Sequence, residues 1–182
     1  MQHGQHDAEL LLYRDRRGTT HASDLSAGAL HQQLTTPAKH SDARHAHTIA
    51  VSLPYEEAVT KVRQELANSG FGVLTEIDVR ATFETKLGSE SAQTLGDYLI
   101  LGACNPALAQ QALTAEPDLG LLLPCNVVIR RDRSANVTTV QAINPQTMVQ
   151  LSNSPAIQAV ADAADAHLLA ALSALEGLNS SK

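Results

Sequence analysis

Tryptophan is missing from this chain and aromatic residues are scarce, Phe, Tyr and Trp together making 3% of 182 residues. Platforms that stack single-stranded bases need exposed rings, so that role is excluded. Basic charge is short as well: 13 Lys and Arg face 19 Asp and Glu, a net charge of -6. A phosphate backbone is gripped by clustered cations, and the densest cluster here, Arg130, Arg131 and Arg133, is interrupted by Asp132. No nucleic-acid partner is expected. No window approaches the roughly 20 consecutive apolar residues of a membrane helix, and the polar, His-rich start lacks the basic-then-apolar pattern of a secretory leader. These absences predict a soluble, cytoplasmic protein with no membrane partner. Only two cysteines occur, too few for the disulfide framework of a small secreted domain, so both are expected as free thiols. Nor is there a glycine-rich nucleotide loop, a catalytic-triad spacing or a zinc quartet. The sequence therefore names neither a reaction nor a cofactor.

What is present is a hydrophobic fraction of 43%, supplied mainly by Leu, Val, Ile and Ala and sufficient for one packed core. The length fits one domain plus a tail. Residues 1–46 read as that tail, disordered or poorly ordered. They carry six of the eight histidines (His3, His6, His21, His31, His40 and His45), and their five basic and five acidic residues cancel. No period of 2 or 3.6 persists there, and polar stretches such as Asp15-Arg16-Arg17-Gly18 interrupt each short apolar group. Imidazoles bind transition metals, but no spacing here sets two of them on one helical face, so a plain tail is the expectation. The domain is read as residues 47–178, and the chain from His47 onward carries the whole net charge.

Within it, His47 to Leu53 alternates as a first strand. Pro54 opens a helix whose Tyr55, Ala58, Val59, Val62 and Leu66 share a face, stopped by Asn68-Ser69-Gly70. Phe71 to Ile77 is a second strand, with Phe71, Val73, Thr75 and Ile77 on one side. A short helix lies between a capping Asp78 and Gly88, followed by a polar loop from Ser89 to Gly96. Asp97 to Ala103 reads as a strand buried on both faces, and Asn105-Pro106 as a capped helix start. After a turn at residues 116–120, Leu121 to Arg130 is a strand notched by Pro124, which implies a bulge, an edge or a strand's first residues. Val137 to Ile143 returns beside it. Ser154-Pro155 starts a long helix with Ile157, Val160, Ala164, Leu168, Leu172 and Leu175 on one stripe. This order predicts an α+β fold: a curved, mostly antiparallel sheet of about five strands with the long C-terminal helix packed across it.

Both cysteines precede an asparagine, in Gly102-Ala103-Cys104-Asn105-Pro106 and Leu123-Pro124-Cys125-Asn126. Cys104 sits before a helix N-terminus, where amide hydrogens and the helix dipole favour negative charge. Cys125 sits at the proline notch. Free cysteine often packs as a small hydrophobe, and capping alone accounts for Asn105. Asn126, inside a Val-rich strand, needs partners if buried. Arg130 is the best single partner for an anion. His167 falls at the margin of the last helix's apolar stripe, and Asp162 and Asp165 on its solvated side. Glu76 and Asp78 form a carboxylate pair at the end of strand two, with Asp78 already serving as a cap.

Three segments, Gly70 to Val79, Leu101 to Pro106 and Glu116 to Val128, resemble the family catalogued as domain of unknown function 302, and the similarity covers about residues 47 to 150. It implies a small α+β domain of the TBP-like, helix-grip kind, acting as a homodimer, and carries no reaction with it. Three roles are carried forward. The first is a small-ligand binding module with a site at Cys104, Asn105, Cys125 and Asn126, with Arg130 near it. The second is a thiol redox or transfer protein using Cys104 with Cys125. The third is a two-thiolate metal or haem site completed by a dimer mate or His167.

Overall fold

A computed structural model describes residues 45–152 and 154–177; the expected tail, apart from His45 and Ala46, lies outside them. Twelve elements follow one another: β1 (Ala46–Val51), α1 (Tyr55–Asn68), β2 (Gly72–Asp78), α2 (Val79–Leu87), α3 (Ser89–Leu95), β3 (Asp97–Cys104), α4 (Pro106–Ala115), a 3-10 helix (Pro117–Leu122), β4 (Cys125–Arg131), β5 (Thr138–Ile143), α5 (Gln146–Val149) and α6 (Pro155–Gly177). The five strands form one open antiparallel sheet in the order β1-β5-β4-β3-β2. The expected α+β architecture is thus the observed one, with α1 beside α6 against the sheet.

Strand alternation decides which face is buried. Ile49 and Val51 of β1, Leu99, Leu101 and Ala103 of β3, Val127 and Ile129 of β4, and Val140 and Ala142 of β5 all enter one cluster. Ala58, Val59, Val62 and Leu66 of α1 complete it, with Leu168, Ala171, Leu172 and Leu175 of α6. These residues come only from the second half of the long helix. Its first half joins a separate cluster, in which Ile157, Val160 and Ala161 meet Ala112 of α4, Leu119 of the 3-10 helix and Met148 of α5. The apolar stripe is therefore continuous while its partner changes, so the sheet is not the only surface that α6 covers.

Helix ends follow local chemistry. Asp78 accepts the Ala81 amide at 2.8 Å and caps α2. Gly70, at φ 84°, closes α1 and lets the Phe71 amide donate to the Leu66 carbonyl at 2.9 Å, a turn that favours glycine. The segment read as a polar loop is instead α3. Its Ser91 and Thr94 hydroxyls donate to carbonyls four residues back, and Ala92 is buried, so polar residues are satisfied within a helix that composition alone assigns to a loop.

Two further departures concern β2 and β4. A bulge between Val73 and Thr75 shifts the pairing of β2, so Phe71 is buried while Ile77, expected on the same side, is exposed; one extra residue reverses the alternation. Strand β4 begins at Cys125, after the Leu123–Pro124 peptide, which is cis. Leu121 and Leu122, expected in that strand, close the 3-10 helix. Pro124 precedes the first strand residue and removes no ladder hydrogen bond.

Candidate functional site

The register Ala103↔Cys125 sets the end of β3 against the start of β4, and Cys104 follows Ala103 directly. At this corner the two core clusters meet: Phe71, Ala103 and Cys125 belong to the sheet core, Ala112, Met148 and Val160 to the smaller one. Their packing leaves a cavity of about 20 Å³ that both cysteines line. That is room for about one water-sized species. Helix α4 forms one wall, with Leu108 and Ala109, and α6 another, with Val160 and Ala164.

Asn105 is the one lining residue whose side chain carries nitrogen or oxygen. Its carbonyl oxygen accepts the Leu108 amide at 3.2 Å, capping α4. Its amide nitrogen faces the turn after α1, where a β-carbon on Gly70 would lie 3.2 Å from it. Asn105 thus caps α4 and lies beside the turn that ends α1. Cys104 is half-buried and Cys125 is 7% exposed. Burial, and secondarily the neighbouring Cys104, push the Cys125 thiol from its ordinary value near 9 up to about 11. At neutral pH Cys125 is a neutral thiol.

The structure thus brings Cys104, Asn105 and Cys125 together and places the other two expected site residues elsewhere. Asn126 pairs with Gly102 and is exposed, because alternation turns it to the outer face while Cys125 faces the core. Its amide is in water and needs no buried partner. Arg130 is also on the outer face, five residues along β4, where its Nε donates to Gln141 at 3.2 Å. Neither belongs to the cavity lining. His167 is exposed on α6 and meets Phe71 edge-on, ring centres 6.4 Å apart, outside the lining. Glu76 binds Arg63 of α1 through both carboxylate oxygens, which holds its carboxyl below the usual range; it is committed to an ion pair and not to acid-base work.

Sequence reasoning missed two features. Met148, from the short helix α5, puts a third sulfur-bearing side chain on the cavity; nothing in its local pattern distinguishes it from a loop residue. His47 bonds Asp165 at 2.6 Å, joining β1 to α6 with side chains only 12% and 22% exposed. Asp165, expected on the solvated side of α6, is instead half-buried beneath the edge strand that carries His47. Among the described residues no group of three or more His, Cys, Asp and Glu gathers as a metal centre, and no helix is long and apolar enough to cross a membrane.

The two Cys-Asn segments meet at one corner of the sheet, within the part of the chain that known proteins resemble. The family described as Domain of unknown function DUF302 matches residues 47–175. The chain belongs to this family. A solved relative is described as the crystal structure of an uncharacterized conserved DUF302 protein from Bacillus stearothermophilus. It is 27% identical, has a TM-score of 0.62, and the alignment covers 70% of this chain and 95% of that one. No curated protein matches the chain. DUF302 membership thus accounts for the fold and brings no activity with it.

Proposed function

We propose that this DUF302 domain is a binding module for a very small ligand, held in the cavity between the β3–β4 corner, α4 and α6. One observation carries the reading: two segments 21 residues apart each deliver a cysteine to the same gap between two otherwise packed clusters. Interiors normally close such gaps. The volume of about 20 Å³ limits the occupant, since a haem or an ordinary metabolite enters only if the walls separate. Thiol exchange fits this geometry less well in the step that Cys125 would have to perform, because with a pKa of about 11 that thiol has a negligible thiolate fraction at neutral pH and attacks slowly.

The test is thermal unfolding of the reduced protein against a panel of metal ions and small thiophilic or apolar molecules, beside Cys104→Ala. A ligand present at about 100 times its Kd stabilises the folded state by roughly 2.7 kcal/mol. That gain is expected in the parent and lost in the variant. A panel without any Cys104-dependent shift overturns the reading.

We propose further that a second copy covers the outer sheet face and that the domain works as a cytoplasmic homodimer. The support is a cross-strand row, Ile77↔Ile100↔Val128, running to the edge strand, where Ile77 is 51% exposed and Leu74 66%. Such apolar edges are usually covered or charged. Sedimentation equilibrium is expected to give a dimer that Ile77→Lys dissociates; a parent that stays monomeric at high micromolar concentration refutes the pairing.

A further inference from the structure

Three sulfur-bearing side chains border the cavity, and they arrive from three different elements: Cys104 from the end of β3, Cys125 from the start of β4, Met148 from α5. Apart from Asn105 the remaining lining residues are Phe, Ala, Leu and Val. This donor set is chemically selective. Hard cations such as magnesium and calcium require six or more oxygen ligands, and the lining side chains offer one, that of Asn105, which already accepts the Leu108 amide. Structural zinc completes four positions with thiolate and imidazole, and no third His, Cys, Asp or Glu joins the pair among the described residues. Thiolate and thioether sulfurs are soft ligands, which select monovalent copper, an ion satisfied by two or three of them. The volume agrees, for about 20 Å³ holds one ion and little else.

We infer that Cys104, Cys125 and Met148 form a site for a single monovalent copper ion, with the two cysteine sulfurs as principal ligands and the thioether as the third. This rests on the reading of the cavity as a binding site and names its occupant. Binding is an exchange without change of oxidation state: one copper(I) ion enters, one proton leaves each thiol, and the two-thiolate complex carries a single net negative charge. Cys104 directly precedes Asn105, the N-cap of α4, and the N-terminal end of a helix favours nearby negative charge. The predominantly apolar walls offer little to the oxygen-seeking hard ions that would compete. Met148, 5% exposed, here serves as a ligand and not only as flexible core filling.

The test uses the full chain, reduced and anaerobic, titrated with copper(I) against a chromophoric copper(I) chelator. The expected result is one equivalent withdrawn per chain, a near-ultraviolet sulfur-to-copper band and an X-ray absorption first shell made of sulfur. Cys104→Ser and Cys125→Ala each weaken binding by about 100-fold or more. Met148→Leu, which keeps the apolar volume, weakens it about 10-fold and remains decisive should the cysteine variants fold poorly. A first shell containing nitrogen, or unchanged affinity in the Cys104→Ser/Cys125→Ala double variant, places the copper on histidines elsewhere in the chain and overturns the inference. So does failure to withdraw copper at all. If copper fails while another small ligand gives a Cys104-dependent thermal shift, the binding reading stands and only its occupant is wrong. If every ligand fails, both fall.

Discussion

Gly102 offers the sharpest test of how the site corner is built. It lies on β3 opposite Asn126, and its φ is not positive, so its backbone is open to any residue. In such a position Gly→Ala ordinarily stabilises by about 0.4–1 kcal/mol, because the unfolded chain loses freedom. Here the sign reverses. A β-carbon at Gly102 would lie 2.2 Å from Oγ1 of Thr75 and 2.7 Å from Cγ of Pro124, whereas carbon contacts are comfortable only beyond about 3.5 Å. Thr75 can rotate its hydroxyl away, since its own β-carbon would be 3.5 Å distant. The Pro124 ring has no such escape, and it is joined to Cys125. Edge strand β2 or the entry to β4 must then move by roughly 1 Å, the kind of overpacking that costs about 1–3 kcal/mol. Gly102→Ala is therefore expected to lower the unfolding free energy by that amount in urea denaturation followed by circular dichroism, with an unchanged m-value. Adding Thr75→Ala should restore only the smaller part, since Pro124 remains. A Gly102→Ala protein as stable as the parent, or more stable, refutes the reasoning: glycine would not be needed for this close approach.

Three other outcomes follow from the same geometry. Because burial raises the Cys125 pKa from near 9 to about 11, the folded state keeps a proton there that the unfolded chain gives up. Stability is full below about pH 9 and falls as pH rises toward 11, by on the order of 2 kcal/mol in total. Tyr55, raised to about 12 chiefly by burial, adds a decline at still higher pH. Unfolding of the parent and Cys125→Ala from pH 8 to 11 isolates the cysteine, and parallel curves contradict the assignment. Asn105→Ala is expected to lose about 1 kcal/mol through the missing α4 cap, while Asn105→Asp, also a good cap, retains most of it; equal losses in denaturant melts rule out capping as its main role. A double-mutant cycle with His47→Ala and Asp165→Ala should give a coupling of on the order of 1 to 2 kcal/mol at neutral pH, and simple additivity removes that pair as the link between β1 and α6.

Much of the fold is legible along the chain because it rests on local rules. Alternation marks the core faces of β1, β4 and β5, Asp78 and Asn105 announce their helices by their capping chemistry, and the stripe of α6 reports a buried face whatever it covers. Failures occur where composition hides a local bond or where pairing with another strand decides. The polar residues of α3 satisfy themselves inside a helix, and the bulge at Val73 to Thr75 transfers Ile77 to the other side of β2.

Read along the chain, the order of elements by itself determined the α+β class, three short segments pointed to the family, and the two Cys-Asn segments set the local surroundings of the thiols: one before a capped helix, the other behind a proline. Those are properties of a few adjacent residues and need no partner to be read. Only the tertiary structure decided that the thiols share a cavity, that Asn126 and Arg130 do not, and that Met148 does. The reason is physical. A strand's alternation is local, but which strand lies beside it, and where two cores meet imperfectly, depends on packing between residues up to 93 positions apart in this site, from Phe71 to Ala164.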